Sequence, residues 1–451
     1  MSFEGRLNDV IPGGAHTYSR GFDQFPSNAP QLLARGSGAY VWDADENRYV
    51  DYGMALRAVT IGYANPRVNQ AAWDQMQLGN NLTRASLVEL DAAEMLVSLI
   101  PSVEMVKFAK NGSNVTSAAV KIARAYTGRR YICVPRQQPF FSFDDWFIGT
   151  TLMTRGVPES HSSSTLAFDF GDISSLEELF EEYPGQIAGV MLEPATTLTP
   201  CNNECNRILS NETCLSKCPI VKENFLHEVE QLCQKNDALF ILDEMITGFR
   251  WHIKGAAHYF GVNPDLVTFG KGMANGFSVA AVGGRREVMQ VGSIDRPGTE
   301  RTFFLSSTHG GEMSGLGAFV ETVAIYQEQD VVQHLWRYGA SLRTGLESIA
   351  ANLGLPGIFQ LEGPDICLSY VLRDEDGADS MPLRTLFAQE MIKGGVMMPW
   401  ISVSLAHGEA ELEQTLSAAE DALKVIGEAV VDGVDSYLVG PAVKPVFRKL
   451  N

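Results

Sequence analysis

Positive charge is what this chain lacks first. Its 35 Lys and Arg stand against 54 Asp and Glu, a formal net charge of −19 with a pI near 4.9. That balance argues against nucleic acid and anionic membranes as partners, because both repel an acidic surface. Long apolar runs are missing as well. None approaches the roughly 20 residues of a membrane span, and residues 1–20 (MSFEGRLNDVIPGGAHTYSR) carry no signal-peptide core. The expectation is a cytoplasmic protein. Internal repeats and low-complexity linkers are absent too. What the chain does have is length and core: 451 residues, 45% of them hydrophobic, suit one large and one or two smaller units.

Cysteine is sparse outside one stretch. Seven occur, at 133, 201, 205, 214, 218, 233 and 367. Cys201 with Cys205 and Cys214 with Cys218 are two pairs, each with a three-residue gap. That gap puts both sulfurs on one face if each pair is helical. Four thiolates can close a structural tetrahedral Zn²⁺ site or hold an iron–sulfur cluster. Disulfides are disfavoured in a cytoplasmic enzyme. The other reading is an insertion in which the cysteines are merely clustered.

Two apolar runs organise the rest. Ala238–Leu242 and Leu266–Phe269 read as strands of a parallel sheet, buried on both faces. The first delivers Asp243 and the second Lys271. Ligands of open α/β sheets bind beyond the carboxyl ends of the strands. A carboxylate and an amine at one such edge are the pair that pyridoxal 5′-phosphate needs. The amine forms a Schiff base, and the acid keeps the pyridinium nitrogen protonated so that the ring acts as an electron sink. Taken singly, each residue also reads as a solvated lysine or a strand-end cap.

Elsewhere, AYVWD and RYVDY alternate around a polar turn and predict an antiparallel hairpin. Residues 85–101 predict a helix with Leu87, Leu90, Met95, Leu96 and Leu99 at helical spacing. Met105–Ala109 predicts a strand, 111–114 a turn and 115–126 a helix. A small-residue turn opening a helix is a ready phosphate cup, though Ser and Asn also serve as ordinary N-caps. Glu193 closes another buried strand, and 222–236 predicts an amphipathic helix. Alternating strands and helices with short connections favour a parallel sheet covered on both faces.

Through LFILDEMITGFR and TFGKGMANG the chain resembles the class III (fold type I) pyridoxal-phosphate aminotransferases, in particular the glutamate-1-semialdehyde aminomutase-like members. The resemblance spans roughly residues 8–430. It implies an α/β fold with three parts: an N-terminal segment (1–75), a large cofactor domain (76–335) carrying the insertion 201–218, and a C-terminal α+β subdomain (336–451). It implies Lys271 and Asp243 as catalytic residues. Further cofactor contacts fall on Gly112, Ser113, Asn114, Phe140, Glu193 and Met245. Ser307 or Thr308 would reach the phosphate of the other subunit, which requires a homodimer. Arg20 falls on a substrate-carboxylate position and Thr17 on a neighbouring hydroxyl position, and Arg57 adds a cation where the family is aromatic and glycine-rich.

Three departures stand out against the family pattern. Asn114 replaces a Glu, with its backbone donor expected to serve the phosphate still. Phe140-Phe141-Ser142 replaces Tyr-His-Gly, and His309-Gly310-Gly311-Glu312 replaces Ser-Gly-Asn-Pro. The resemblance then implies transfer of an amino group from a donor such as glutamate to an aldehyde or ketone. An oxidised sugar or sugar acid of cell-envelope biosynthesis is the acceptor expected. An intramolecular amino shift is the alternative.

Overall fold

Burial on both faces explains the central sheet. In the computed structural model, which describes residues 2–201 and 224–450, every residue of Ile187–Leu192 (β7) and Leu239–Glu244 (β8) is buried. The chain divides into two compact units, Met1–Asn65 with Gln333–Arg448 and Pro66–Val332 with Lys449–Asn451.

The 66–332 unit holds β7 and β8 together with Met105–Ala109 (β4), Tyr131–Pro135 (β5), Thr165–Phe168 (β6), Leu266–Phe269 (β9) and Ala280–Gly284 (β10). Among the described residues they form one sheet in the order β4-β10-β9-β8-β7-β5-β6. The pairs β6–β5, β5–β7, β7–β8 and β8–β9 are parallel, while β10 runs antiparallel to both β9 and β4. The β9–β10 connection is too short for the dozen or more residues of a crossover, so the chain must reverse.

The helix Phe225–Lys235 lays Phe225, Leu226, Val229, Leu232 and Cys233 inward, the stripe its spacing predicts. The helix Leu87–Leu99 starts where Ser86 and Glu89 form a reciprocal capping box. Its buried face is Val88, Ala92 and Leu96, whereas Leu87 and Leu90 are exposed. Of the predicted stripe, Leu96 is buried and Met95 and Leu99 half-buried, so only its first two leucines fall on the exposed face. Helix Gly112–Thr127 begins three residues earlier than its sequence reading, because Asn111 caps it by accepting from Asn114 N at 3.0 Å.

The other unit contains Leu33–Ser37 (β1), Tyr40–Asp43 (β2), Arg48–Asp51 (β3) and Val396–Met397 (β13) in one sheet. The predicted hairpin is β2–β3. Its turn is tied by Asp43, which accepts from Asp45 N, Asn47 N and Asn47 Nδ2, each at 2.9 Å. The parallel pairing of β13 with β3 joins the first and last segments of the sequence. Phe359–Glu362 (β11) and Ser369–Leu372 (β12) form a separate antiparallel pair. The long helices Met381–Lys393 and Glu409–Asp432, with most of Val331–Asn352, also belong to this α+β unit.

Candidate active site

Asp243 sits next to last in β8, directly across from Thr268 of β9. Thr268 Oγ1 donates to its Oδ1 at 2.8 Å and Met245 N donates to the same oxygen at 3.0 Å. Burial pushes its carboxyl up to about 6, against the opposing pull of those two hydrogen bonds and of the Lys271 charge. Both bonds use one oxygen, so the carboxylate retains acceptor capacity for a ring N–H. Lys271 follows β9 with a φ of 42°, left-handed backbone that a lysine seldom adopts. Glu244, also fully buried and pushed up to about 7, accepts from Ala256 N at 2.5 Å and Ala257 N at 2.9 Å, and so anchors the next helix.

Met245 gathers three of the predicted elements. A Cβ on Gly112 would stand 3.0 Å from its sulfur, and one on Gly270 would stand 2.5 Å away. The start of the 112–127 helix, the end of β8 and the residue before Lys271 therefore meet around one thioether. At the helix start, Gly112 and Ser113 have no intrahelical acceptor for their N–H groups. Asn114 differs from expectation: its N–H is taken by Asn111 Oδ1. Ser113 Oγ accepts from Phe143 N at 3.1 Å, which leaves its proton to donate.

The segment after β5 is bolted to the same helix. Thr116 Oγ1 donates to Phe141 O at 2.9 Å, Trp146 Nε1 donates to Ser117 Oγ at 2.8 Å, and Ser117 Oγ donates to Asp144. Gln138 fixes its other end by exchanging hydrogen bonds with the Glu193 backbone at 2.7 and 2.8 Å. Phe141 is core, edge-on to Phe147, while Phe140 is 48% exposed and also meets Phe147 edge-on. Thr268, Gln138, Ser117 and Asp144 went unremarked in the sequence. For Thr268 a signal existed, since it lies three residues before Lys271 on the adjacent strand.

Ser307 and Thr308 are exposed on a turn held by Asn81 Nδ2, which donates to Thr308 O at 3.1 Å. The altered run that follows has a local reason. Glu312 pairs with Lys110 at the end of β4 and also accepts from Asn80 Nδ2 at 3.0 Å.

Arg20, Thr17 and Arg57 belong to the other unit. Arg20 lines a cavity of about 850 Å³ together with Asp51, Tyr63 and Trp400. Thr17 and Arg57 are not among the residues that line it; Arg57 Nη1 lies 3.5 Å from Cys367 Sγ. Of the four clustered cysteines, Cys205, Cys214 and Cys218 lie outside the described residues, so the metal expectation does too. Among the described residues no helix is long and apolar enough to cross a membrane.

The donor set of the 66–332 unit has the chemistry a phosphorylated pyridine aldehyde requires: a buried acid, an amine, and a helix start open to phosphate. Comparison with known proteins agrees. A family profile for class-III aminotransferases matches residues 24–198 and 218–358. A glutamate-1-semialdehyde 2,1-aminomutase of Acetivibrio thermocellus is 34% identical over 428 residues, covering 91% of this chain and 94% of the relative. One of Alkaliphilus oremlandii is 31% identical over 436 residues, covering 93% and 96%. Among solved structures, the FumI protein of Sphingopyxis sp. MTA144, in its PLP internal aldimine form, superposes with a TM-score of 0.81 at 27% identity, covering 95% of this chain and 97% of that one. A Pseudomonas aeruginosa glutamate-1-semialdehyde aminomutase gives 0.78 at 19% identity, covering 94% and 93%, which speaks to the fold alone. With a fold type I sheet and a family match over most of its length, this chain belongs to the class-III aminotransferases, enzymes of the aminotransferase or aminomutase type.

Proposed function

We propose that this chain is a pyridoxal-phosphate enzyme that moves an amino group from an amino acid donor such as glutamate to an aldehyde or ketone. An oxidised sugar or sugar acid is the acceptor class we favour. The observation that carries the reading is Asp243 and Lys271 on adjacent strand ends, with the buried acid responding to the lysine charge.

Pyridoxal phosphate, when bound, supplies an electron sink for the carbon that bears the amine. Asp243 would accept from the ring N–H in a low-dielectric surrounding, where such a bond is strong. Gly112 and Ser113 offer backbone N–H groups, and Ser113 its hydroxyl proton, to the phosphate. Phe140 would cover one ring face, and Met245 and Glu193 would border the ring. Lys271 Nζ would hold and move the proton of the amine-bearing carbon. Arg20 receives a substrate carboxylate through its planar fork.

The enzyme works as a cytoplasmic homodimer in which Ser307 or Thr308 reaches the partner's phosphate. The exposed Trp73, Met76, Leu78, Leu82, Leu87 and Leu90 support that assembly, since so much apolar surface within one short span calls for a cover.

An intramolecular amino shift is the second reading, favoured by the two curated relatives named as aminomutases. The absorbance spectrum of the purified protein separates the two. A visible band bleached by L-glutamate supports transfer from a donor, whereas a band moved only by an amino-aldehyde or diamine supports the shift. No visible band in the wild type, matching Lys271→Ala, overturns both.

A further inference from the structure

The backbone from Met54 to Arg57 is left-handed throughout, with φ of 40°, 50°, 64° and 67°, and contains no glycine. Arg57 N donates to Gly53 O at 3.2 Å and Ala58 N to Met54 O at 2.9 Å, so this is a left-handed helical turn. L-residues disfavour that conformation because Cβ crowds the following carbonyl, and such turns persist only when their surroundings over-determine them.

The surroundings here are specific. Asp51 Oδ1 accepts from Gly53 N at 2.7 Å, and Oδ2 accepts from Met54 N at 3.0 Å. Tyr63 OH donates to Oδ2 at 2.6 Å while accepting from Ala55 N at 2.8 Å. Trp400 Nε1 donates to Gly53 O at 3.0 Å. Gly53, Ala55, Leu56, Asp51 and Tyr63 all line the 850 Å³ cavity that Arg20 lines. Arg20 is close enough for its charge to act on both Asp51 and Tyr63. Yet Asp51 already receives three donors, so it attracts the guanidinium without clamping it.

We propose that Asp51 and Tyr63 form a latch that holds the left-handed turn as a cavity wall and keeps Arg20 available to a ligand carboxylate. They are positioning residues, and the inference rests on Arg20 being the carboxylate-binding arginine. Without the Tyr63 hydroxyl, Asp51 Oδ2 is free to pair with Arg20 and quench the site.

The test measures binding of glutarate, a dicarboxylate with no amine, to the holoenzyme by calorimetry. Tyr63→Phe weakens glutarate about tenfold, the size of one hydrogen bond to a charged group, and Arg20→Ala weakens it at least as much. Adding Ala55→Gly to Tyr63→Phe recovers part of the lost melting temperature, because glycine is at ease in the turn, but none of the affinity, because Asp51 still meets Arg20. In the otherwise wild-type chain, Ala55→Gly raises the melting temperature. Unchanged affinity in Tyr63→Phe alongside a loss in Arg20→Ala overturns the latch alone. Equal affinity in wild type and Arg20→Ala, or no binding to either, overturns the Arg20 reading and the latch with it. An unchanged or lower melting temperature for Ala55→Gly alone overturns the claim that the turn is held against its preference.

Discussion

Asp243 in one unit and Arg20 in the other are charged groups positioned by opposite means. Asp243 is fixed by regular structure: a strand register that puts Thr268 across from it, full burial, and a pKa raised by the burial itself. Arg20 is exposed, on a short 3₁₀ turn, and owes its setting to side chains that bind backbone in a left-handed segment. The first arrangement stores its cost as desolvation, the second as backbone strain. Four left-handed residues at roughly 1–2 kcal/mol each equal much of a domain's net stability of about 5–15 kcal/mol. The turn beside Arg20 thus depends on the hydrogen bonds that Asp51, Tyr63 and Trp400 make to it.

That contrast can be broken at several points. On the sheet side, Lys271→Ala should lower turnover by at least ~10³-fold with an unchanged circular-dichroism spectrum; retained turnover would remove Lys271 from the chemistry. Asp243 carries a pH signature. Its folded value of about 6 lies above the ordinary 3.8, so the folded state holds the proton more tightly than the unfolded chain. The associated stabilisation is complete below about pH 4 and is lost as pH rises through 6, a swing of about 3 kcal/mol. Glu244, raised in the same direction, adds to the trend. The melting temperature of cofactor-free protein should therefore fall from about pH 4 to 7, and Asp243→Asn should flatten part of that slope. An identical slope in the variant would mean that Asp243 does not titrate there.

Ser117→Ala tests the bolted loop. It strands the Trp146 indole N–H and the Asp144 carboxylate at about 1–3 kcal/mol, and it should speed cofactor loss about tenfold, read by dilution with Trp fluorescence. A rate equal to wild type would separate the loop from cofactor retention. The smallest effect is on the strained side. Ala55→Gly relieves one left-handed residue but loosens the unfolded chain, a net gain of at most about 1 kcal/mol, seen in thermal melts.

How much of this was legible in the sequence follows the same divide. Asp243 and Lys271 announce themselves because a buried parallel strand is a contiguous apolar run, and its end is visible in one dimension. The hairpin around Asp43 is legible through a different local signal, alternation on either side of a polar turn. The left-handed turn is not, since the usual signal for positive φ is glycine and Met54–Arg57 has none. Arg57 reads as a cation for the pocket, but its side chain turns to Cys367, a contact set by a residue far along the chain. The meeting of Gly112, Met245 and Gly270 is likewise a three-body contact that no local pattern encodes. Leu87 and Leu90 fit helical spacing but lie on the exposed face, because spacing alone does not say which stripe of a helix is covered.

The pairing of Val396 and Met397 with Val50 and Asp51 has a consequence for biosynthesis. Apart from Lys449–Asn451, the unit with the seven-stranded sheet is continuous from Pro66 to Val332, so it can close while the ribosome is still at work. The unit that carries Arg20 cannot. Its first three strands emerge early and wait, with the β3 edge unpaired and the turn after Asp51 without Trp400, until the last quarter of the chain arrives. The unit with the seven-stranded sheet can therefore be complete before the unit that carries Arg20.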